Sequence, residues 1–470
     1  MIWELEKYAE NIAIVDDVGY SLTYHELNME GENIAREVGK RCLVFCLCEN
    51  SIGAIVGYSA FINHEIVPLL LNHHLDKELL WNLIKIYSPS FLWVPEYQIQ
   101  EFSEMEIVYK SYQYCLLKTG YEKEYPLFSQ LGLLLTTSGS TGSPKFVRQS
   151  YKNVKSNAQS IAQYLELDET ERPITTLPMN YTYGLSIINS HLLVGATLLV
   201  TDKSLMQKEF WNFLKREKAT SFGGVPYTYE MLDKMRFRKM QLPYLRTITQ
   251  AGGKLTLELH KKFAEYAEAE NKKFVVMYGQ CEATARMGYL PADMSVKKSG
   301  SMGIAIPGGF FYLIDTDGEK IKTPYVTGEL VYEGENVTLG YAECGEDLAK
   351  GDERGGVLYT GDMAQFDEEG YYYIVGRKKR FLKIYGNRVN LDEIDRLLKG
   401  NFNNIDCASS GTDDHLYLFV TDASLAEQVK KFVVLKTGLN QTAFKVIIVE
   451  KIPRNDSGKI LYQELSQYYQ

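Results

Sequence analysis

A loop rich in glycine and hydroxyl residues carries the residue types best suited to chemistry. The apolar run at 131–135 predicts a buried strand, and the loop after it contains Thr137, Ser138, Gly139, Ser140, Thr141, Gly142 and, at its end, Lys145. Glycine permits positive φ and close approach of backbone N–H groups, while hydroxyls and one lysine add donors and positive charge. These properties favour polyphosphate binding. A solvated Ser/Gly linker is the alternative, but a linker seldom follows a buried strand directly.

The spacing of this loop differs from that of a Walker A motif. In a Walker A loop the lysine directly follows a glycine, whereas Ser143 and Pro144 separate Gly142 from Lys145 here. Further predicted strands, at 247–252 and 274–278, end in Gly252-Gly253 and in the polar turn 279–282. The segment 174–186 predicts a strand that ends in an aromatic, glycine-containing turn. Such turns at the carboxyl ends of strands are where α/β sheets build their sites.

The elements around these turns predict an α/β fold. Strands at 41–47 and 65–71 with a helix at 52–62 indicate a largely parallel sheet that has helices on both faces. From about residue 300, short β-rich runs broken by Asp-Gly and Glu-Gly turns predict a β-rich subdomain. We place a hinge near Lys379 and expect a small α+β domain after it. The predicted domains are therefore residues 1–378, with parallel or mixed sheets and flanking helices, and residues 379–470.

Composition narrows the class of protein. The chain of 470 residues has a formal net charge of −9, which argues against a chain-wide nucleic-acid or anionic-membrane surface. Its amino terminus lacks a signal-peptide pattern, and the apolar segment 192–200 is too short to span a bilayer. Three of the seven cysteines, Cys42, Cys46 and Cys48, share one parity on a predicted strand. We expect buried reduced thiols there rather than a metal site, and a cytoplasmic location.

Five sequence blocks, in this order, resemble the adenylate-forming (AMP-binding) superfamily of acyl-CoA synthetases, adenylation domains and luciferases. They are 137–145, 177–185 (Leu-Pro-Met-Asn-Tyr-Thr-Tyr-Gly-Leu), 278–282 (Tyr-Gly-Gln-Cys-Glu), 359–362 (Tyr-Thr-Gly-Asp) through 376–377 (Gly-Arg), and 453–459 (Pro-Arg-Asn-Asp-Ser-Gly-Lys). The resemblance covers essentially the whole chain. Any one block could arise by chance, whereas five at these spacings are a specific match.

The resemblance implies an ATP-dependent acid–thiol ligase. Such an enzyme activates a carboxylic acid as an acyl-adenylate with release of pyrophosphate, then transfers the acyl group to CoA or to the phosphopantetheine of a carrier protein, which we expect to act in trans. ATP and Mg²⁺ are the implied cofactors, and a small carboxylic acid is the substrate. Neither nucleic acid nor a membrane is implied as a partner. Two alternatives stay open: a ligase that uses an amine acceptor, and a nucleotide-binding homologue with reduced turnover.

The resemblance also implies roles for single residues in nucleotide binding. The loop 137–145 would hold the β- and γ-phosphates, and Glu282 would hold Mg²⁺, which prefers oxygen ligands. Gly253, Lys254 and Tyr278 would enclose the adenine, and Asp362 would accept hydrogen bonds from both ribose hydroxyls with Arg377 close by. Gly279 and Cys281 would also bind the nucleotide, with Cys281 at the α-phosphate. Thr141, Lys145, Glu282 and Lys459 would be catalytic, with Lys459 on a mobile C-terminal domain that reaches the carboxylate and the α-phosphate. Rotation at Lys379 would replace Lys459 by the segment around Lys383 and Gly386, which would form the thioester.

Residues that differ from the usual family pattern affect which carboxylic acid we expect as the substrate. The expected acid pocket comprises Asn180, Tyr181, Tyr183, Gly184 and Gly252, and Asn180-Tyr181 stand where the family usually has an aromatic residue and a histidine. No aspartate lies between residues 177 and 190, which disfavours an α-amino acid because its ammonium would lack a counter-charge. We therefore expect an aliphatic or aryl acid of modest size that is uncharged beyond its carboxylate. Cys281 replaces the family's threonine and Phe146 replaces a glycine, and a thiol is the weaker hydrogen-bond donor.

Overall fold

The computed structural model describes residues 2–121, 124–136, 145–384, 387–402, 405–454 and 460–469. Its strands form mixed and antiparallel sheets with helices packed against them. The predicted α/β class is thereby confirmed. Within the described ranges, no helix has the length and apolar character needed to cross a membrane.

The largest sheet among the described residues has eight strands. Its order is Gly340–Ala342, Phe146–Ser150, Leu131–Thr136, Val67–Asn72, Leu43–Cys48, Phe91–Pro95, Tyr114–Lys118 and Glu106–Ser111. The four central strands are parallel, and antiparallel strands close both sides. The four parallel strands are almost entirely buried, as expected for a sheet covered on both faces.

A second sheet supports the polar turns that the sequence predicts. Its five strands are Ser221–Gly224, Thr247–Gln250, Lys273–Tyr278, Gly288–Tyr289 and Ile304–Ala305. The first three are parallel, with Gln250 paired to Val276, and the last two are antiparallel. The carboxyl ends of the parallel strands therefore meet at one edge.

Two smaller sheets complete the part of the chain before residue 378. The β-rich segment forms the third sheet, which is antiparallel and consists of Lys320–Ile321, Gly309–Ile314, Gly328–Gly334, Val357–Phe366 and Tyr372–Arg377. A fourth, mixed sheet consists of Leu198–Val200, Ile12–Asp16 and Ser21–Thr23. The β-rich character predicted after residue 300 is confirmed.

The residues after 380 have their own sheets and apolar clusters. A hairpin pairs Phe381–Ile384 with Asn387–Asn390, and Cys407–Thr412, His415–Val420 and Phe444–Ile448 form a three-stranded sheet. Two clusters of buried apolar side chains in this region contain only residues 382–469. A segment with an apolar core of its own has the character of a separate domain.

The helices cover the sheets and begin at residues that suit helix starts. They are Tyr24–Val38, Ile52–Asn63, Lys77–Tyr87, Tyr151–Leu165, Thr182–Leu193, Lys208–Arg216, Pro226–Lys234, Leu257–Ala269, Leu391–Asn401, Ala426–Thr437 and Tyr462–Ser466. Thr23 and Ser150 form capping boxes, in which each cap side chain accepts the backbone N–H three residues on. Helix Ile52–Asn63 is buried along its whole length, because it packs between the first helix and the large sheet.

The parity of the early cysteines predicts their positions correctly. Cys42, Cys46 and Cys48 all lie in one apolar cluster on the same face of the large sheet. All seven cysteines are free thiols, and no group of three metal-binding side chains occurs among the described residues. Burial raises the pKa of Cys42 to about 11, so its thiol stays protonated and unreactive.

The prediction of a strand and turn at 174–186 is wrong in its local structure. Ile174 makes only isolated bridge pairing with Leu199, and helix Thr182–Leu193 begins shortly after it. The pairing ends at Thr175, whose N–H donates to the carbonyl of Leu199 at 2.9 Å. Tyr183 and Gly184 therefore lie in the first turn of a helix instead of a loop.

A buried histidine predicts that the fold loses stability at acidic pH. His260 accepts the N–H of Gly300 at Nδ1 (3.2 Å) and donates from Nε2 to the carbonyl of Ser295 (3.1 Å), an arrangement that requires the neutral ring. Burial lowers the pKa of His260 to about 4. The neutral ring thus stabilises the fold above pH 6.5, and this contribution is lost as the pH falls toward 4.

We expect the free energy of unfolding to fall by about 2–3 kcal/mol between pH 7 and pH 4.5 on account of this residue. In His260→Gln, which cannot take up a proton, this part of the acid loss should disappear. Denaturant unfolding at both pH values measures the difference. An equal acid loss in the two proteins would contradict the assignment.

Candidate functional site

The candidate site lies along the carboxyl edge of the second sheet. Strand Thr247–Gln250 leads into Gly252, Gly253 and Lys254, and the neighbouring strand Lys273–Tyr278 leads into residues 279–282. Gly252 has φ of +84°, a conformation that glycine adopts without strain. Lys254 Nζ donates to the carbonyl of Ile374 at 2.7 Å. The second and third sheets therefore meet at this edge.

Asp362 is the most completely surrounded carboxylate of the site. It is 2% exposed, and its Oδ1 lies 2.6 Å from Arg377 Nε on the adjacent strand. Its Oδ2 accepts the hydroxyl of Tyr278 and, at 2.9 Å, the amide of Gln280. Burial raises the pKa of Asp362, and the Arg377 charge together with the two hydrogen bonds opposes that rise. Asp362, Tyr278 and Arg377, predicted from separate blocks, thus form one cluster.

Glu282 and Lys145 both contact one tyrosine. The hydroxyl of Tyr341 donates to Glu282 Oε1 at 2.8 Å, and Lys145 Nζ lies 3.9 Å from the centre of the same ring. Lys145 is also 3.5 Å from Glu343. The backbone carbonyl of Glu282 accepts the N–H of Thr338 at 3.0 Å, which fixes the position of this turn. The structure therefore brings together the two predicted ends of the phosphate site.

Gly279 lies where no side chain fits. A Cβ at this position would lie 1.6 Å from the carbonyl oxygen of Ala285, far inside van der Waals contact. The close approach lets Met287 N–H bond to the carbonyl of Tyr278 at 2.9 Å and start the antiparallel strand. The turn after Tyr278 thus depends on glycine for space.

The residues of the expected acid pocket lie beside this edge. Tyr181 precedes helix Thr182–Leu193, and its hydroxyl would be 2.8 Å from a Cβ at Gly252. Tyr183 is buried, and its hydroxyl lies 2.8 Å from Thr249 Oγ1 on the second sheet. Burial raises the pKa of Tyr183 to about 12, so the phenol is neutral. The helix and the sheet edge therefore form two adjoining walls.

Gly184 and Asn180 are the remaining pocket residues predicted from the sequence. A Cβ at Gly184 would lie 2.3 Å from the carbonyl oxygen of Pro178, so the helix can begin close to the preceding turn only with glycine there. Asn180 lies in that turn and is half-buried.

Cys281 is 5% exposed and opens a short 3₁₀ turn. It is close enough to Tyr181 to contribute, after burial, to the raised pKa of that phenol.

Several predicted residues lie outside the described part of the structure. Those are Thr137, Ser138, Gly139, Ser140, Thr141, Gly142, Gly386 and Lys459, together with the side chains of Lys379 and Lys383. The roles expected of these residues stay predictions.

Charged side chains flank Lys379 and bind in opposite directions. Lys378 Nζ lies 2.6 Å from Glu329 of the antiparallel sheet. Arg380 lies 2.7 Å from both Asp392 and Asp395, which belong to helix Leu391–Asn401. The chain is therefore held to the third sheet just before residue 379 and to the C-terminal segment just after it.

Sequence reasoning missed Gln280 and Tyr341. Gln280 lies inside the block 278–282, at a position where the pattern specifies no residue type, so only its contact with Asp362 identifies it. Tyr341 contacts Glu282 across 59 residues of sequence, and no local pattern predicts such a pairing. Arg354 is a third case, because its Nη1 donates to the carbonyl of Glu282 at 3.0 Å.

Comparisons with known proteins give consistent findings. The model of the AMP-binding enzyme family matches residues 2–342. The 2-succinylbenzoate–CoA ligase of Geobacillus sp. (strain WCH70) is 27% identical over 97% of this chain and 94% of its own length. Two solved structures share the fold. They are o-succinylbenzoate CoA synthetase of Bacillus subtilis with the acyl-adenylate OSB-AMP, and MatB of Rhodopseudomonas palustris with ATP.

The two structural comparisons cover nearly complete chains. The Bacillus subtilis synthetase superposes with a TM-score of 0.78 at 21% identity, over 98% of this chain and 97% of the other. MatB superposes with a TM-score of 0.79 at 21% identity, over 99% and 98%. At this level of identity the likeness establishes the fold.

We expect Gly279→Ala to lower the free energy of unfolding by about 1–3 kcal/mol, because the new methyl group must displace the backbone at Ala285. Gly400→Ala is the matched control. A Cβ there meets nothing within 4 Å and Gly400 lies in a helix, so it should raise stability by about 0.5–1 kcal/mol. Thermal or denaturant unfolding measures both. Similar effects of the two substitutions would contradict the steric argument.

Proposed function

Because the chain belongs to the family of AMP-binding enzymes, we propose that it is an ATP-dependent ligase that joins a carboxylic acid to a thiol by way of an acyl-adenylate. The matched family, the CoA-ligase relative that covers 97% of the chain and the fold shared with enzymes solved with ATP and an acyl-adenylate all support this function. Within the molecule, the main support for this function is the buried cluster of Asp362, Tyr278, Gln280 and Arg377.

The reaction has two steps. In the first, an oxygen of the substrate carboxylate bonds to the α-phosphorus of ATP while the bond to the β-phosphate oxygen breaks, which releases pyrophosphate. In the second, a thiolate attacks the acyl carbon and AMP leaves. Both steps bring anions together, so the protein must supply fixed positive charge and hydrogen-bond donors.

The Asp362 cluster suits the sugar of a nucleotide. A carboxylate held by Arg377 stays an acceptor even though burial raises its pKa, and an ionised carboxylate accepts strongly from hydroxyl groups. Tyr278 lies next to it, and its ring provides a face for a purine. We propose that Asp362 binds the ribose hydroxyls and that Gly253, Lys254 and Tyr278 enclose the adenine.

Glu282 is a suitable ligand for Mg²⁺ together with phosphate oxygens. No cluster of three metal-binding side chains occurs in the part of the chain that the structure describes. Mg²⁺ commonly needs only one or two carboxylates, because substrate phosphates and waters complete its octahedron. Glu282 would hold the ion, which neutralises phosphate charge when bound, and Tyr341 would orient the carboxylate through its 2.8 Å hydrogen bond.

We propose CoA, or the phosphopantetheine of a separate carrier protein, as the thiol. We further propose domains of residues 1–378 and 379–470 that rotate about Lys379. This boundary is supported by the opposite attachments of Lys378 and Arg380 and by the apolar clusters confined to residues 382–469. A cytoplasmic location is likewise proposed, supported by the seven free thiols.

Pyrophosphate exchange into ATP, dependent on a carboxylic acid, tests the function. Asp362→Asn should lower kcat/KM for ATP by about tenfold to a hundredfold, because a charge-assisted hydrogen bond contributes roughly 1.5–3 kcal/mol. Asp315→Asn, in an exposed turn of the antiparallel sheet, is the matched control and should leave exchange unchanged. Wild-type protein that exchanges no pyrophosphate with any carboxylic acid would overturn the proposal.

Lys459→Ala should suppress adenylate formation by a larger factor than the transfer from preformed acyl-adenylate to CoA. The reason is that the proposed lysine faces the charge that develops on the α-phosphate only in the first step. Lys383→Ala should show the opposite pattern. Exchange assays for the first step and thioester release from synthetic acyl-adenylate for the second separate them. An equal loss of both steps in either variant would contradict the rotation about Lys379.

A further inference from the structure

One arginine close to the expected acid pocket is buried with neutral neighbours. Arg286 is 2% exposed and follows Thr284 and Ala285, which have φ of +51° and +92°. Positive φ is unfavourable for residues with a side chain. The chain therefore adopts a strained turn directly before it places a guanidinium in the interior.

The contacts of this guanidinium are all with uncharged groups. Arg286 Nε donates to Ser186 Oγ at 3.0 Å, and Nη1 donates to the hydroxyl of Tyr164 at 3.0 Å and to Met277 Sδ at 2.9 Å. Its central carbon lies 5.0 Å from the ring centre of Tyr183. Within the described residues, Arg286 has no carboxylate partner and its Nη2 has no hydrogen-bond acceptor.

The titratable side chains around Arg286 cannot supply the missing negative charge. Burial raises the pKa of Tyr164 and of Tyr183, so both phenols are neutral at pH 7. Burial and, to a smaller extent, the positive charge of Arg286 lower the pKa of His191 to about 4. The Nε2 atom of His191 is buried and has no hydrogen-bond partner among the described residues. A buried charge without a counter-charge destabilises the protein.

The elements that hold Arg286 are those on which the acid pocket is proposed. Ser186 and Tyr183 belong to helix Thr182–Leu193, which begins directly after Tyr181. Met277 precedes Tyr278 on the strand that leads to Glu282. Tyr183 and Met277 also belong to one apolar cluster with Val225 and Ala251, the residue before Gly252. The unpaired charge thus adjoins the apolar wall of the site.

We propose that Arg286 binds a second carboxylate of the acyl substrate, so that the enzyme activates a dicarboxylic acid at the carboxylate that is not bound to Arg286. This inference rests on the proposed function and names its substrate class. The apolar cluster packs against the carbon skeleton between the two carboxylates. The second carboxylate provides the counter-charge that the protein itself lacks there, and Nη2 provides a free donor for it.

The sequence-based expectation of an uncharged acid is thereby replaced by a specific alternative. That expectation considered the segment between residues 177 and 190, where no aspartate occurs to bind an ammonium. It did not consider Arg286, which lies 100 residues from Ser186 in the sequence. The absence of an acidic residue and the presence of an unpaired arginine both favour a negatively charged substrate over an amino acid.

Matched pairs of acids test the proposal by pyrophosphate exchange. The series runs from malonate to suberate, and each diacid is compared with its monomethyl ester, which keeps the length and removes one charge. For the best diacid we expect a kcat/KM about tenfold to a hundredfold above that of its ester, the value of one charge-assisted interaction. Exchange that favours the ester or a simple monocarboxylate throughout would overturn the inference and leave the proposed function standing.

Variants separate a binding role from a structural one. In Arg286→Met the preference for the diacid over its ester should disappear, mainly through a higher KM for the diacid, while exchange with the ester persists. Tyr164→Phe is the matched control, because it removes one contact of the guanidinium and keeps the charge, so the preference should remain. If Arg286→Met does not fold, Arg286→Lys keeps the charge and should retain part of the preference.

Equilibrium binding of the diacid distinguishes the two proposals. Isothermal titration of the best-binding diacid into the wild-type protein and into Arg286→Met requires no turnover. Binding that depends on Arg286 without any exchange activity would reject the proposed function and support the anion site. Equal affinity of the two proteins for the diacid would overturn the inference whatever the exchange activity.

Discussion

The buried carboxylate of Asp362 is the interaction on which the arrangement of the site depends. Its three partners come from two parts of the chain: Tyr278 ends a strand of the second sheet and Gln280 lies in the turn after it, whereas Arg377 ends the last strand before the hinge segment. One side chain therefore joins the second and third sheets and fixes the point from which the C-terminal segment departs. Removal of the whole carboxylate would leave Arg377 without its partner and two donors without an acceptor.

The polar turns of the site are positioned by strand pairing in the second sheet. Because the central strands of the second sheet are parallel, residues 252–254 and 278–282 lie at one edge although 24 or more residues separate them in sequence. The glycines keep this edge compact: Gly279 allows the carbonyl of Ala285 to approach, and Gly184 allows a helix to begin against Pro178. The site thus combines rigid backbone with a small number of charged side chains.

The sequence predicts the fold wherever periodicity and turn residues agree. Helix 52–62 and strand 41–47 correspond closely to Ile52–Asn63 and Leu43–Cys48, and the parity of three cysteines gives the buried face of that strand. The prediction fails at 174–186, because strand-like residues there pair only in isolated bridges before a helix that the pattern did not indicate. Propensity describes what a segment can form, and the neighbouring strands determine what it does form.

The site is predictable from the sequence only as a set of blocks. The resemblance of the blocks to a known family predicts Asp362, Tyr278, Glu282 and Arg377 as site residues, but no pattern indicates that Tyr341 contacts both Glu282 and Lys145. Arg286 illustrates the same limit, because an arginine at that position is an ordinary surface residue until the fold shows that it is buried. Contacts between distant residues depend on tertiary packing, which local composition does not encode.

The crowding around Asp362 has a thermodynamic consequence for any ligand that binds there. An ionised carboxylate offers about four acceptor positions, and three are occupied by the guanidinium, the phenol and the amide. A ribose diol brings two donors, so at least one protein donor has to be exchanged for a ligand donor. Ribose binding at this carboxylate is therefore an exchange of hydrogen bonds, in which a protein donor gives up its position to a ribose hydroxyl and needs another acceptor.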